Sequence, residues 1–578
     1  VAIGEATAVG TERLTLPATP GEAIDRPAGA PSSGAAAGWR ICLLTVLMAL
    51  IGAPLAAVIV QGFAAAEGLW QHLFATVFWS YVVNTLLLCA AVGSLTAIIG
   101  TGTAWLIATC RFPGRRLFEW TLVLPLAMPA YVLAYAYTDL LQITGPVQQL
   151  IRDVTGLGPG EYPFPPIHSL GGAAFVLAFA LYPYVYLLAR AAFLEQSICA
   201  LEVSRTLGCS AAAAFRRVAL PMARPAIATG VAFALMETLA DFGTVKFFEV
   251  PTYTTGIYRA WYATANPTVA AQLAMALLGF VFIVMALERL SRRTGHYRHT
   301  STRYRPQLRQ RLKGVRAAAA TLCCAVPVAV GFAIPAIALA AMATGAGDDL
   351  PPMERLMTLA GNTLLVGGLS ASIIVAAAII ALYALRGESS RLRRLGLLFI
   401  SLGYATPGVV IAIGILIAIG AVDGLLREAG RQLFGVSPGL ILGGSIAAIV
   451  YGCLVRFFAV AYGPLEAALG KIKPSLEDAA RLLKGSSTGV LRHVHLPLLR
   501  PSLIAATLIV AVDVMKELPA TMILRPFNFD TLAIEAFHLA TTERLDAAAV
   551  PSLLIVAVGL LPVVLLCREL NRSRPGHR

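Results

Sequence analysis

The sequence predicts an all-α membrane protein of about twelve transmembrane helices, arranged as two tandem six-helix halves. Apolar residues make up 58% of the chain and charged residues 13%, with a mean hydropathy of +0.75. That balance leaves too little polar surface to cover a soluble fold of this size. Apolar runs of about 18 or more residues recur along the chain, each able to cross a hydrocarbon layer ~30 Å thick as a helix. The second half also repeats the first at a nearly constant offset.

Residues 1–38 are rich in Ala, Gly, Pro and Thr without periodicity, and are expected to form a disordered cytoplasmic tail. The first apolar run, Ile41 to Val60, is long enough to persist as a span rather than act as a cleaved signal. The first half, 39–290, carries candidate spans at 41–62, 82–109, 118–141, 171–193, 226–245 and 268–288. A basic cytoplasmic linker, 291–316, leads to the second half, 317–568. Its spans are expected at 317–342, 361–385, 395–420, 440–463, 502–523 and 549–567, followed by a cytoplasmic tail at 569–578. Asn84-Thr85-Leu86 returns as Asn362-Thr363-Leu364, and Pro129 as Pro407. An even number of spans per half gives both halves the same orientation.

Charge placement sets that orientation. Arg111, Arg115 and Arg116 fall between spans two and three, and Arg386, Arg391, Arg393 and Arg394 between spans eight and nine. The linker and the C-terminal tail are basic as well, so the positive-inside bias puts both termini in the cytoplasm. The formal charge of +14 is therefore a membrane-topology signal. No nucleic-acid recognition fold surrounds the basic linker, which reads as a solvated run beside anionic lipid headgroups. The nine cysteines are scattered, mostly inside apolar segments, and read as small core residues.

Two polar segments stand out against this background. Residues 202–227 read EVSRTLGCSAAAAFRRVALPMARPAI, and residues 478–503 read DAARLLKGSSTGVLRHVHLPLLRPSL. Arg205 matches Arg481, Arg216 matches Arg492, and Pro221 matches Pro497, all 276 residues apart. Glu202 and Arg205, like Asp478 and Arg481, are three apart and can pair on one helix face. Gly208 suits a helix C-terminus. A second helical run from Ala211 carries Phe215, and Pro221 and Pro225 are expected to end it. Such a segment is either an amphipathic surface loop or a helix offered to a groove on a partner.

Charges also occur inside predicted spans. Glu237 and Asp241 lie four apart in the fifth, and their repeat partners Asp513 and Glu517 flank Lys516 in the eleventh. Counted from Ala226, Glu237 falls ~16 Å along the helix, near the bilayer centre. A charge there costs about 2.5–3.5 kcal/mol on insertion scales and must face a protein interior or water. Two readings remain open: these acids line a hydrated path, or they pair with Lys246, Lys516 or an arginine and fix helix packing. Tyr182, Tyr184 and Tyr186 read as packing or interfacial residues ahead of cargo contacts.

The segment pattern, Glu202-Val203-Ser204 then Gly208 then Leu220-Pro221, resembles the cytoplasmic coupling loop of binding-protein-dependent ABC importer permeases (MetI-like fold). The second copy runs Asp478-Ala479-Ala480, with Lys484 at the glycine position and Gly485 one residue later. Residues 181–193, 240–261 and 516–533 resemble fused permeases of ferric-iron importers, and the likeness covers both halves. The resemblance implies two coupling loops, 202–227 and 478–503, that dock on two ATP-binding cassette subunits, and a periplasmic substrate-binding protein on the other face. It implies residence in a bacterial inner membrane. No GxxxxGK[ST] phosphate loop occurs, so ATP and Mg are expected on the partner ATPase, with no cofactor and no catalytic set in this chain. Iron(III) prefers hard oxygen ligands, which favours the acids over the cysteines. The rival cargoes are thiamine, phosphonate and polyamine. A rival of another class is an ion- or proton-coupled secondary transporter, for which duplicated docking segments have no use.

Overall fold

A computed structural model describes residues 34–64, 69–195, 210–293, 310–345, 347, 350–385, 396, 400, 402–435, 439, 441–470, 472, 475–476, 480 and 487–572. Among these, eleven helices are long and apolar enough to cross a membrane, and one sharply bent pair makes a twelfth. The first half contains α1 (Gly34–Gly62), α2 (Phe78–Thr109), α3 (Arg115–Thr121), α4 (Ala130–Leu141) and α5 (Leu170–Glu195). It continues with α6 (Leu220–Ala240), the short α7 (Gly243–Phe247), α8 (Tyr253–Tyr262) and α9 (Pro267–Arg293). The second half runs through α10 (Gly314–Val328), α11 (Ile334–Gly345), α12 (Met353–Leu385), α13 (Gly408–Phe434) and α14 (Ile446–Leu469). It ends with α15 (Leu496–Met515), α16 (Pro519–Leu524), α17 (Leu532–Thr541) and α18 (Leu545–Arg572).

Four expected spans are redrawn. The third span is not one helix over 118–141: it bends by 95° between residues 115–127 and 130–155. Pro129 pushes Met128 into an extended conformation (φ −107°, ψ 116°) and itself caps α4. Pro407 repeats this cap for α13, which therefore begins at Gly408 rather than 395. The fifth and eleventh spans start earlier than expected, at Phe215 and Leu491. Pro221 and Pro225 do not end a helix. A π turn at Phe215–Ala219, with the Leu220 N–H bonded to the Phe215 carbonyl, re-registers the ladder ahead of the prolines. The same turn recurs at Leu491–His495.

The halves interlock. Helix α1 packs against α9 of its own half and against α12 and α13 of the other; α11 packs against α18 and reaches across to α4. Tyr451 in α14 donates to the Leu50 carbonyl of α1 at 2.6 Å, and Tyr137 in α4 donates to the Val330 carbonyl at 2.6 Å. Within each half the repeated Asn-Thr pair does the same work. Asn84 donates to the Pro251 carbonyl at 3.0 Å and Asn362 to the Asp530 carbonyl at 2.9 Å. Thr363 accepts the Leu532 N–H at 2.9 Å, which ties the start of α17 to α12. Small residues permit close crossings: a Cβ on Gly100 or Gly230 would lie 2.6 and 2.7 Å from Val185, so α2 and α6 both press on α5 there. A two-residue parallel ladder, Cys110–Arg111 with Gln310–Arg311, ties the end of the basic linker to α2.

Candidate functional site

Of the two polar segments expected to couple to an ATPase, Glu202, Arg205, Gly208, Asp478, Ala479, Arg481, Lys484 and Gly485 lie outside the described residues. The rest are placed. Arg216, Arg492, Pro221 and Pro497 are exposed or half-buried, and Ala480 is buried. Phe215 turns inward, its ring 4.9 Å from Trp105 of α2 and 6.4 Å from Phe193 of α5. The exposed arginines thus sit on a π turn whose aromatic side is anchored to the bundle.

The intramembrane charges meet at one cavity of about 140 Å³ between the halves. Glu237, Asp241, Asp513, Lys516 and Glu517 all line it, beside Arg456, Tyr131, Tyr184 and Tyr404. Glu237 occupies the last turn of α6 rather than mid-helix, because the helix stops at Ala240. At Asp241 the backbone turns extended (φ −64°, ψ 130°). The Asp241 carboxylate accepts the Val245 N–H and the Thr244 hydroxyl, both at 3.0 Å, satisfying the first turn of α7. Glu517 repeats the device by accepting the Ala520 N–H at 2.9 Å in the first turn of α16. Both acids hold a helix break in place, with a carboxylate at the positive end of a short helix.

The remaining charges bridge the halves. Arg456 Nη1 lies 3.2 Å from Glu517 Oε2, and its Nη2 lies 3.9 Å from Glu237 Oε2. Tyr404 donates to Glu237 at 3.3 Å, and Tyr131 of the first half donates to the Lys516 carbonyl at 3.3 Å. Lys516 pairs with Asp513 at 2.8 Å. The Glu517 and Arg456 side chains are only 4% and 10% exposed, whereas Glu237 and Asp513 keep 29% and 25%. That difference separates a sequestered pair from two carboxylates presented to the cavity. Lys246 is exposed and joins none of this. Tyr182 and Tyr186 are fully buried packing residues, while Tyr184 reaches the cavity.

Arg456 and Tyr404 are absent from the candidates that sequence reasoning yields. The signal for Arg456 is nevertheless present: it is the one charge in the run from Ile446 to Leu465. Its repeat position is Ala180, which also lines the cavity. Pseudo-symmetry therefore places the two walls alike but charges only one. Four carboxylates face two cations across this cavity, an excess of acidic groups. No group of three or more His, Cys, Asp or Glu close enough to hold a metal ion occurs among the described residues.

Comparison with known proteins agrees with this duplicated architecture. The domain described as "Binding-protein-dependent transport system inner membrane component" matches residues 100–295 and again 373–573. The chain is similar to the Fe(3+)-transport system permease protein FbpB 2 of Haemophilus influenzae, 25% identical over 90% of this chain and 97% of that protein. It is also similar to the thiamine transport system permease protein ThiP of Brucella abortus, 27% identical over 69% of this chain and 73% of that one. A third relative, the sulfate transport system permease protein CysT of Salmonella typhimurium, is 27% identical over 36% of this chain and 70% of its own length. An ion-coupled secondary transporter is thereby set aside. The chain belongs to the family of binding-protein-dependent transport system inner membrane components, and carries the family's domain twice.

Proposed function

We propose that this permease moves a cation, ferric iron, through the cavity between its halves. The observation that carries the reading is the excess of carboxylates over cations among the lining residues. A cleft lined by an excess of carboxylates attracts a cation and repels sulfate, molybdate or phosphonate. Carboxylate and phenolic oxygens are hard donors suited to iron(III). They are spread around the wall with Arg456 and Lys516 between them, and they do not converge as a chelating cluster. A path needs that: binding strong enough to admit the ion, weak and distributed enough to release it. The full-length likeness to a permease of Fe(3+) transport supports the same cargo. Thiamine, also cationic, is the second reading, supported by the Brucella relative.

In this reading the protein sits in the inner membrane with both termini cytoplasmic. Two copies of an ATP-binding cassette subunit dock on 202–227 and 478–503, and a periplasmic binding protein delivers the cargo. Coupling residues Glu202, Arg205, Gly208, Arg216, Asp478, Ala479, Ala480, Arg481, Gly485 and Arg492 carry the docking, while Phe215, Pro221 and Pro497 fix the turn behind it. The test is to purify the permease with its partners and measure what the binding protein carries. Iron(III) on the binding protein, and two ATPase subunits per permease, are expected. A bound oxyanion would overturn the cargo, and ATP hydrolysis by this chain alone would overturn the assembly.

A further inference from the structure

The helix that leaves the cavity on the side away from the coupling segments is α4, and one of its faces is unusual. Tyr131, Tyr135 and Thr138 are spaced i, i+4 and i+7, so they form one stripe along it. All three are buried, Tyr135 completely. Tyr131 lines the cavity and has a partner. The hydroxyls of Tyr135 and Thr138 are enclosed and have none. Several other buried threonines inside long helices of this chain bond their own carbonyls four residues back, as Thr96, Thr103, Thr238 and Thr363 do at 2.7–2.8 Å. Thr138 has the same option on α4 and does not take it. A buried hydroxyl without a partner burdens the fold and calls for a reason.

The surroundings supply one. Gly243 lets α7 close on this stripe, since a Cβ there would lie 2.8 Å from that of Tyr131. The Phe247 ring covers Tyr135 at 4.8 Å, and Tyr131 and Asp241 are the ionisable neighbours of Tyr135. One residue past Thr138, half-buried Asp139 sits within electrostatic reach of exposed Asp546 at the head of α18. Oxygens therefore run from the cavity carboxylates past Tyr131, Tyr135 and Thr138 to half-buried Asp139 and exposed Asp546. The other half has a buried hydroxyl without a partner on its short helix, Thr521 of α16, but no such stripe on α13. Aligned on Pro129 and Pro407, its positions are Val409, Ile413, Leu416 and Ile417.

We infer that the seam between α4 and α7 is a one-sided access lane. It is closed in this conformation, and its unpartnered hydroxyls take over from hydration water as a cation passes from the outer surface to the cavity. Only the first half provides the full stripe; in the second half the matching face of α13 is apolar. Oxygen donors in series, none of them charged in mid-lane, suit a cation moving by exchange of weak ligands. The nature of the ligand rests on the cargo proposed above, whereas the position and one-sidedness of the lane do not.

The test uses the complete transporter, permease with ATPase subunits and binding protein, in proteoliposomes during turnover. Thr138→Cys and Leu416→Cys are compared for modification by trimethylammonium-ethyl methanethiosulfonate added on the face opposite the coupling segments, each site quantified by peptide mass spectrometry. Modification at 138 should be faster by about tenfold or more, as expected for a polar lane against a dewetted wall. Equal rates, faster modification at 416, or no modification at either would overturn the lane, whatever the cargo is. In parallel, Tyr135→Phe with Thr138→Val keeps the shape and removes both hydroxyls. Thermal stability should hold or rise while iron(III) uptake falls by roughly fivefold or more. Undiminished uptake would overturn the ligand role. If the wild type takes up no iron(III) but labels at 138, only the cargo reading fails.

Discussion

Glu237 of the first half and Arg456 of the second face each other across the cavity at 3.9 Å, while the same guanidinium holds Glu517 at 3.2 Å. One cation thus sits between an acid from each half and ties the two cavity walls together. Removing it leaves the sequestered Glu517 carboxylate without its partner, a loss worth about 3–5 kcal/mol for a buried pair. Arg456→Gln is expected to lower thermal stability in detergent strongly. Arg456→Gln combined with Glu517→Gln, which leaves no unpaired charge at that pair, should recover much of it. Additive losses in the double variant would show that the two side chains are not coupled.

The exposure of the four acids sorts them. Glu237→Gln and Asp513→Asn remove carboxylates that face the cavity, and should leave membrane abundance and ATPase co-purification intact while slowing uptake by about tenfold or more. Glu517→Gln and Asp241→Asn remove groups that hold helix breaks, and should reduce abundance first. Low abundance with normal uptake per molecule for Glu237→Gln would assign that residue to packing instead.

Helices α2, α5 and α6 meet where Gly100 and Gly230 press on Val185. A side chain at Gly230 has no room against the α5 backbone, so Gly230→Val should destabilise the bundle by roughly 1–3 kcal/mol. Gly279, with nothing near its missing Cβ, is the control: Gly279→Ala should be neutral within experimental error in the same melting assay.

The coupling segments are unequal in sequence, Gly208 in one and Lys484 in the other. Gly208→Lys should depress transport-coupled ATPase activity more than Lys484→Gly does. Phe215→Ala, which frees the π turn from Trp105 and Phe193, should uncouple hydrolysis from uptake while the arginines beside it remain. Equal effects of the two segment substitutions would contradict the asymmetry.

Membrane helices announce themselves in a sequence by length, and duplication shows each feature twice, so much of this fold is legible from the residues alone. Glu237, Asp241, Asp513, Lys516 and Glu517 stand out as charges in apolar runs, and the structure brings all five to one cavity. Arg456 escapes that reading because arginines mark topology in loops, and this one lies inside a span. The misread prolines have a physical cause. Pro221 and Pro225 look like helix breakers by local rule, but a π turn just before them supplies the register that lets the helix continue, and the same turn precedes Pro497. The break at Pro129 is hidden for the opposite reason, since its flanks are apolar enough to read as one span. Which hydroxyls lack partners is a three-dimensional fact that no spacing encodes.

The most direct test is uptake by proteoliposomes containing the permease, its ATPase subunits and its binding protein, with iron(III), thiamine and sulfate offered in turn to the wild type and to Glu237→Gln. ATP-dependent accumulation of iron(III), little of the other two, and a loss of about tenfold or more in the variant are expected from a path lined by cavity carboxylates. Accumulation of sulfate, or iron(III) uptake that Glu237→Gln leaves unchanged, would contradict a cation path through this cavity.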